Sequence, residues 1–512
     1  MSKLGCALAI AVLGGGGGAS GNLETVLQDD ALMLHRPEAQ VRASTEQIAG
    51  LGADRLRITA GWATVSPAPD ATTVPGAPFD PADPATYDQT RWRELDTAVI
   101  AARDAGLEVQ LDIAFFAPRW AVARGSANSD RERILPDPQL FGDFAAAVTR
   151  RYSGVFADPA RPGRLLPAVR QFATWNEPNH PTFLAPQWVD EGDGPRPYSP
   201  HLYRSMHNEA YEAIKRADPL SRVLIGSTAS RGSTVEGRGG VPPLRFVREM
   251  ACVDERLKPL RVSECEDFEP LRADGFAHHP YSRTTPPGTS SPQRDMAPIA
   301  DTDRLVRLLK ALHREGRTER RWDVWFTEYG YETRPPDPFQ LYTPQQQARF
   351  MGWSTWLAWQ EPGVRSHAQF LLRDIDAAES GRRPGTRSYW RDFQMGLFTH
   401  DGRAKPAAQA FKLPFFVTER EVDGQRVTVL FGGVRPGRGP HVVGVEAIDP
   451  RTGRWVPVGT VGPRCDSDGQ AFLTDRDGYF ERTAPAGGAT TYRLAHLLDG
   501  VWEYGPPVEL AG

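Results

Sequence analysis

Two glutamates follow short apolar stretches, where a side chain is well placed for acid–base or nucleophilic chemistry. The first, Glu177, follows residues 169–175 and lies in the tripeptide Asn176-Glu177-Pro178. The β-branched and aromatic residues of this stretch are typical of a buried strand, and Pro178 ends any strand because it has no N–H to donate. Glu177 therefore lies at the carboxyl end of a buried strand. The tripeptide alone also fits a turn-forming glutamate, because such short motifs recur by chance.

The second glutamate, Glu328, has the same setting after the apolar stretch 322–327. One glutamate at a strand end has a simple structural explanation, but two at one edge of a sheet suit cleavage of a glycosidic bond. In that chemistry one carboxyl protonates the leaving oxygen and the other attacks the anomeric carbon. We therefore predict that Glu177 and Glu328 face each other.

The elements that carry these glutamates alternate between strand-like and helix-like segments from residue 31 to about residue 411. The predicted strands are residues 31–34, 55–59, 108–113, 169–175, 222–227, 275–279, 323–327 and 364–371. Strict alternation implies parallel strands joined by helical crossovers. The predicted fold class is α/β, a (β/α)8 TIM barrel, with Glu177 after the fourth strand and Glu328 after the seventh, both at the carboxyl-terminal rim. A doubly wound open sheet is the alternative, but no glycine-rich phosphate loop follows the first strand.

The ends of the chain have a different character from the barrel region. Lys3, the apolar stretch 4–13 and the small residues Ala19 and Ser20 resemble a signal peptide. After residue 415, short alternating strands separated by turn signals such as Asp423-Gly424 indicate a small β-sandwich. We therefore predict a signal peptide over 1–20, a barrel over 21–415 and a β-sandwich domain over 416–512. This organisation predicts a secreted, extracellular protein with no membrane segment after signal removal.

Composition excludes few partners. The net charge of −4 gives no electrostatic reason to expect nucleic acid. Of the four cysteines, Cys252 and Cys265 flank one polar loop and are predicted to form a disulfide. Cys6 would leave with the signal peptide and Cys465 would stay unpaired. No cysteine and histidine spacing resembles a zinc site, so neither metal nor cofactor is expected.

The paired motifs resemble those of glycoside hydrolase clan A, the retaining barrel glycosidases that include cellulases, mannanases and β-xylosidases. In that clan, Asn-Glu-Pro after the fourth strand carries the acid/base, and a glutamate after the seventh strand is the nucleophile. The resemblance implies that Glu177 is the acid/base and Glu328 the nucleophile. It also implies a retaining glycoside hydrolase acting on an oligo- or polysaccharide. A catalytically inactive carbohydrate-binding barrel and a transglycosidase remain the alternatives.

The same resemblance assigns supporting roles around the two glutamates. Asn176 would bind the sugar 2-hydroxyl, and Arg57, near the end of the second strand, would keep the nucleophile ionised. His279 and Tyr281 match residues that flank the nucleophile. Trp62, in the loop after the second strand, is a candidate for stacking on a sugar ring, with a core or loop anchor as the alternative.

One departure from the clan concerns the eighth strand, which in many members ends in a tryptophan beneath the reacting sugar. Here the strand reads Gln369-Phe370-Leu371, so Phe370 or Trp390 would have to take that place. Asp112, in the third strand, and His35, after the first, are polar candidates with open roles.

Overall fold

The computed structural model describes residues 23–123, 133–391, 393–436, 439–462 and 470–511. The predicted signal peptide and Cys465 lie outside these residues. The strands, in chain order, are β1 (Glu24–Gln28), β2 (Arg55–Gly61), β3 (Glu108–Ala114), β4 (Gln171–Thr174), β5 (Trp188–Asp190), β6 (Pro195–Pro197), β7 (Arg222–Ala229), β8 (Gly275–His279), β9 (Val324–Phe326), β10 (Val364–Phe370), β11 (Phe415–Val422), β12 (Gln425–Gly433), β13 (Val442–Ile448), β14 (Trp455–Pro457), β15 (Ala471–Leu473), β16 (Tyr479–Pro485), β17 (Thr491–Leu498), β18 (Val501–Tyr504) and β19 (Val508–Glu509).

The helices are α1 (Asp30–Met33), α2 (Glu38–Leu51), α3 (Trp62–Val65), α4 (Gln89–Asp104), α5 (Pro138–Arg151), α6 (Ser199–Ala217), α7 (Pro243–Met250), α8 (Thr302–Arg314), α9 (Pro344–Gln360) and α10 (Pro406–Lys412). None of the helices in the described ranges combines the length and the apolar composition that a membrane span requires.

Within the described residues, eight parallel strands close into a barrel in the order β1-β10-β9-β8-β7-β4-β3-β2. Helices follow the strands in the alternating pattern of a (β/α)8 barrel. The predicted fold class is confirmed. The strands β5 and β6 form a separate antiparallel pair in the long connection between β4 and α6.

The first strand differs from the prediction. Residues 31–34 were expected to form it, but β1 lies earlier, at Glu24–Gln28, and residues 31–33 belong to α1. The Asp29 side chain accepts a hydrogen bond from the Leu32 amide at 3.1 Å, which caps the first turn of that helix. Residues 31–33 of the apolar run therefore belong to a capped helix, which their composition alone does not reveal.

A small apolar cluster lies on four of the eight barrel strands. Ala173, Leu224, Ala277 and Trp325, from four neighbouring strands, pack together apart from the main core. A Cβ atom on Gly275 would lie 2.1 Å from the Trp325 ring, so only glycine leaves room for this indole. Because side chains alternate along a strand, Ala277 and His279 share the inner face of β8. The cluster thus forms a floor beneath the polar side chains of the rim.

The C-terminal strands form antiparallel sheets, one of β11, β12 and β16, and another of β13, β14, β15, β17, β18 and β19. They share their own hydrophobic core, which matches the predicted C-terminal β-sandwich. The Trp353 ring stacks on Phe416 at a centroid distance of 5.1 Å, and Trp356 packs on the same ring at 4.7 Å. Helix α9 of the barrel is therefore joined to the first strand of the sandwich by aromatic packing.

Candidate active site

A single guanidinium lies at the centre of the polar side chains at the barrel rim. Arg57 Nη1 donates to Glu328 Oε1 at 2.5 Å and also to Gln28 Oε1. Its Nη2 donates to Asp112 Oδ2 at 2.6 Å and to Asn176 Oδ1 at 2.9 Å. Arg57 has no exposed side-chain surface. It is the third residue of β2 rather than one near its end, so it reaches the rim through the length of its side chain.

Electrostatics favour the ionised form of Glu328, whose side chain is only 12% exposed. Burial alone would raise its pKa, but His279 and Arg57 more than offset this effect and hold the pKa below its ordinary value. The Tyr281 hydroxyl donates a further hydrogen bond to Glu328 Oε2 at 3.1 Å. Burial, followed by the charge of Glu328, raises the pKa of Tyr281 well above its usual range, so this phenol stays a donor. Glu328 is therefore an anion held by three partners.

Glu177 lies opposite Glu328, with His279 between the two carboxyls. The His279 Nδ1 atom is 3.0 Å from Glu177 Oε1 and 3.6 Å from Glu328 Oε2. One carboxylate oxygen of each glutamate and a ring nitrogen of His279 all lie within 4.8 Å of one another. The two strand-end glutamates thus face a common space, although they follow different strands of the barrel.

The backbone that presents Glu177 is held in an unusual conformation. Trp175 and Glu177 have positive φ angles of 62° and 40°. Residues other than glycine rarely adopt this backbone conformation, which costs about 1–3 kcal/mol per residue. The Trp175 amide donates to Ile113 O at 2.8 Å and the Glu177 amide to Ser227 O at 2.9 Å. Hydrogen bonds to the neighbouring strands β3 and β7 therefore maintain the strained backbone that directs the Glu177 carboxyl towards Glu328.

Helix α6 supports the same strand end from behind. Thr174 Oγ1 lies 2.7 Å from His207 Nδ1 and 3.1 Å from the Tyr203 hydroxyl, and all three side chains are buried. Asn179 follows directly after the tripeptide. Its side-chain nitrogen, Nδ2, donates to Ala229 O and to Val241 O, each at 3.1 Å. The segment from Thr174 to Asn179 is thus anchored at both ends, and Glu177 projects from its middle.

The structure brings Glu177, Glu328, Asn176, Arg57, His279 and Tyr281 together, but it separates Trp62 from them. Trp62 has no exposed surface and stacks on Phe144 at a centroid distance of 5.7 Å. The expectation that Trp62 contacts a sugar is therefore wrong, because β2 continues to Gly61 and α3 turns the indole into the aromatic core outside the barrel.

Two further histidines, His278 and the candidate His35, lie outside the cluster. His278 faces away from the barrel axis and contacts Thr228 Oγ1 at 2.8 Å and Ala297 O at 2.8 Å. His35 pairs with Glu94 at 2.6 Å at the surface, with 70% of its side chain exposed. Neither histidine therefore contributes to the paired-carboxyl site.

The sequence alone assigned no role to two residues of the cluster, Gln28 and Asp112. Gln28 ends β1, which was itself misplaced, and its amide nitrogen donates to Asp30 Oδ2 at 3.2 Å. Asp112 lies in β3 with no exposed surface. A lone acid within an apolar strand was the available signal for Asp112, but only the barrel register places it beside Arg57.

Two groups of side chains among the described residues have donor atoms close enough to hold a metal ion. One is Glu177, His279 and Glu328, and the other is His201, Cys252 and Cys265. In the second group the sulfurs form a disulfide, with a Cα–Cα distance of 5.6 Å, so they are not thiolate ligands. In the first group, the Arg57 cation already neutralises Glu328. A cation bound to the first group would therefore compete with Arg57 for Glu328.

The fold and this cluster define a (β/α)8-barrel protein with two facing carboxyl groups at its carboxyl-terminal rim. No protein-family model matches the chain, and no curated protein sequence matches it.

Solved structures with a similar fold include a glucosidase from Croceicoccus marinus, with 13% identity, 92% of this chain and 94% of that chain covered, and a TM-score of 0.48. They also include a β-glycosidase from Thermosphaera aggregans, with 15% identity, coverages of 77% and 96%, and a TM-score of 0.45. An endo-β-1,4-mannanase from Thermotoga petrophila has 14% identity, coverages of 97% and 99%, and a TM-score of 0.41. All three TM-scores lie below 0.5, so these similarities carry no argument about activity.

Proposed function

We propose that this protein is a retaining glycoside hydrolase of the clan A type, which cleaves O-glycosidic bonds of an oligo- or polysaccharide by double displacement. The observation that carries the proposal is the approach of Glu177 and Glu328, whose carboxylate oxygens lie within 4.8 Å of each other. Retaining enzymes hold their two carboxyls about 5–5.5 Å apart, whereas inverting enzymes leave room for a water molecule at about 6.5–9.5 Å. The short separation supports direct attack by one carboxylate.

In the first step, Glu328 attacks the anomeric carbon while Glu177 gives its proton to the leaving glycosidic oxygen. The bond to the leaving group breaks as the glycosyl–Glu328 ester forms. In the second step, Glu177 takes a proton from water, the water oxygen attacks the anomeric carbon, and Glu328 leaves as a carboxylate. The lowered pKa of Glu328 supports its assignment as the nucleophile.

The surrounding side chains support these two steps. Arg57 and Tyr281 stabilise the Glu328 carboxylate before attack and after release. Asn176 uses its oxygen to accept from Arg57, which leaves its amide N–H groups to donate to a sugar hydroxyl. His279 contacts both glutamates and fixes their relative position. A hydrogen bond from Asn176 to the sugar 2-hydroxyl would strengthen in the transition state.

The test is a hydrolysis screen with aryl glycosides and with plant and microbial polysaccharides, followed by NMR of the first-formed sugar. The proposal expects hydrolysis of at least one substrate and release of product with the same anomeric configuration. Inversion would refute the retaining mechanism. Sugar binding without turnover would identify an inactive carbohydrate-binding barrel, and transfer to an added sugar in place of water would identify a transglycosidase.

We further propose that the protein is exported. The signal-like pattern of residues 1–20 supports this, as does the Cys252–Cys265 disulfide, since such bonds persist in oxidising compartments. Secretion in a heterologous host, with the mature N-terminus determined by mass spectrometry, tests the proposal. Retention of uncleaved protein inside the cell would contradict it.

A further inference from the structure

Beneath the two glutamates lies a buried carboxyl that the reaction does not use. Asp112, in the middle of β3, has no exposed surface, and Asp112 Oδ2 accepts from Arg57 Nη2 at 2.6 Å. Its other oxygen, Oδ1, is buried and has no hydrogen-bond partner in the described part of the chain. A buried carboxyl with one unpartnered oxygen is costly. The neighbouring Arg57 guanidinium offsets part of this cost.

The guanidinium of Arg57 has four acceptors, and they divide into two pairs. Glu328 and Asn176 face the reaction space, whereas Gln28 and Asp112 contact Arg57 from within the barrel. Each terminal nitrogen has one acceptor of each kind, while Nε has none among the described residues. The orientation of Arg57 therefore depends on both inner acceptors, of which Asp112 is the carboxyl group.

We propose that Asp112 is a positioning residue, which holds Arg57 in the orientation that lets it bind Glu328 and Asn176 at the same time. This inference rests on the proposed function.

The physical reason is competition between carboxylates for one rigid cation. A guanidinium prefers to give two parallel hydrogen bonds to a single carboxylate. Without Asp112, both terminal nitrogens of Arg57 would be drawn to Glu328, and the hydrogen bond to Asn176 would be lost. With Asp112 present, Nη2 is held 2.6 Å from its carboxylate and remains 2.9 Å from Asn176 Oδ1. Asn176 then keeps its amide N–H groups directed into the reaction space.

The charged groups around Asp112 agree with this role. Burial raises the pKa of Asp112 to about 7, while Arg57 and His279 favour its ionised form and Glu328 and Asp30 oppose it. Asp112 therefore depends on Arg57 for its charge, just as Arg57 depends on Asp112 for its orientation. The carboxyl of Asp30 is engaged elsewhere, because it accepts from the Thr59 hydroxyl and amide at 2.6 Å and 3.1 Å.

The experiment is a double-mutant cycle on the full-length protein, with kcat and KM measured on the best substrate of the screen. The variants are Asp112→Leu, Arg57→Met and the combination of both, with Asp112→Asn as the isosteric variant. We expect Asp112→Leu to lower kcat by about 10²-fold, a loss typical of a small misplacement at a reacting centre. KM should change much less. Asp112→Asn retains an acceptor for Arg57 and should recover at least tenfold of that loss.

The cycle separates positioning from a purely structural role. If Asp112 acts through Arg57, adding Asp112→Leu to Arg57→Met should lower kcat no further, because Arg57→Met already removes the cation that Asp112 positions. Asp96→Asn is the matched control, since Asp96 pairs with buried Arg151 at 2.6 Å away from the rim. This control should leave kcat within threefold of the wild-type value.

The outcomes that would overturn the proposal are distinct. An unchanged kcat in Asp112→Leu, or losses that multiply in the double variant, refutes the positioning role while hydrolysis by the wild type stands. A loss in Asp112→Asn as large as that in Asp112→Leu, with thermal unfolding of both variants unchanged, excludes the acceptor function and also refutes it. If the wild type hydrolyses no glycoside, the proposed function fails first and this inference fails with it.

Discussion

Arg57 and Glu328, which are 271 positions apart in the chain, form a salt bridge of 2.5 Å at the rim of the barrel. Arg57 is part of the second barrel strand and Glu328 follows β9, so the contact forms only when the barrel closes. This contact joins the parallel sheet to the electrostatics of the site, because the same guanidinium also binds Asn176 beside Glu177.

Replacing the nucleophile should abolish turnover. Glu328→Gln keeps the size of the side chain but removes the attacking charge, and we expect kcat to fall by about 10⁶-fold, as when other covalent nucleophiles are removed. Steady-state kinetics on an aryl glycoside is the measurement, and Glu315→Gln, at the exposed end of α8, is the control. A Glu328→Gln variant with the wild-type rate would rule out covalent catalysis by this residue.

Replacing the acid/base should affect substrates unequally. Glu177→Ala removes a proton donor worth about 10²–10⁴-fold in rate, so a substrate with a poor leaving group should lose that factor. A dinitrophenyl glycoside, whose leaving group needs no proton, should still form the covalent intermediate rapidly and show a burst followed by slow turnover. Stopped-flow absorbance distinguishes the two phases. Equal losses for both substrates would argue against Glu177 as the general acid.

The pH profile should respond to Arg57. Because Glu328 must be ionised to attack, its lowered pKa sets the acidic limb of kcat/KM, and activity is lost as pH falls through that pKa. Arg57→Met removes one of the charges that lower this pKa, so the acidic limb should move to higher pH by about 1–3 pH units. Measurement of kcat/KM from about pH 3 to about pH 8, which brackets the pKa values of ordinary carboxyl groups, tests this shift of the acidic limb. A limb that stays in place would show that Arg57 does not control the ionisation of Glu328.

Trp62 should matter for stability and not for sugar binding. Its indole packs among Trp120, Phe141 and Phe144 with no exposed surface. Trp62→Ala should therefore lower the free energy of unfolding by about 3–5 kcal/mol, with little change in KM of the folded protein. Chemical denaturation provides the first quantity. As a control, Trp502→Ala, at a side chain 38% exposed, should cost less than half as much. A selective rise in KM would restore Trp62 as a sugar contact.

The disulfide should stabilise the loop after α7. Cys252 and Cys265 close a loop with a sequence separation of 13, for which the loss of unfolded-chain entropy predicts about 3 kcal/mol. The double variant Cys252→Ser and Cys265→Ser should unfold at correspondingly lower denaturant concentration and keep its kcat. The wild type measured with and without a thiol reductant is the control. Equal unfolding midpoints for the oxidised protein and the double variant would contradict the stabilising role.

Sequence patterns were sufficient for the barrel because strand and helix periodicity are local properties of the chain. The alternation of apolar stretches predicted eight parallel strands, and the glutamates after the fourth and seventh strands predicted a paired site. The same local reasoning failed at residues 31–34, where the Asp29 cap decides for a helix. It also misjudged Trp62, because α3 starts immediately after Gly61 and turns the indole outward into the aromatic core.

Residue type and spacing predicted the two glutamates, and the resemblance to clan A predicted Asn176 and Arg57. What they do to one another was decided by the closed barrel, because the strand register alone sets which side chains share its interior. Packing of the closed barrel made Arg57 the shared cation of four acceptors and buried the Asp112 carboxyl beside it. The strength of these electrostatic interactions depends on short distances between charges and on exclusion of water. Both conditions arise only when distant parts of the chain pack together.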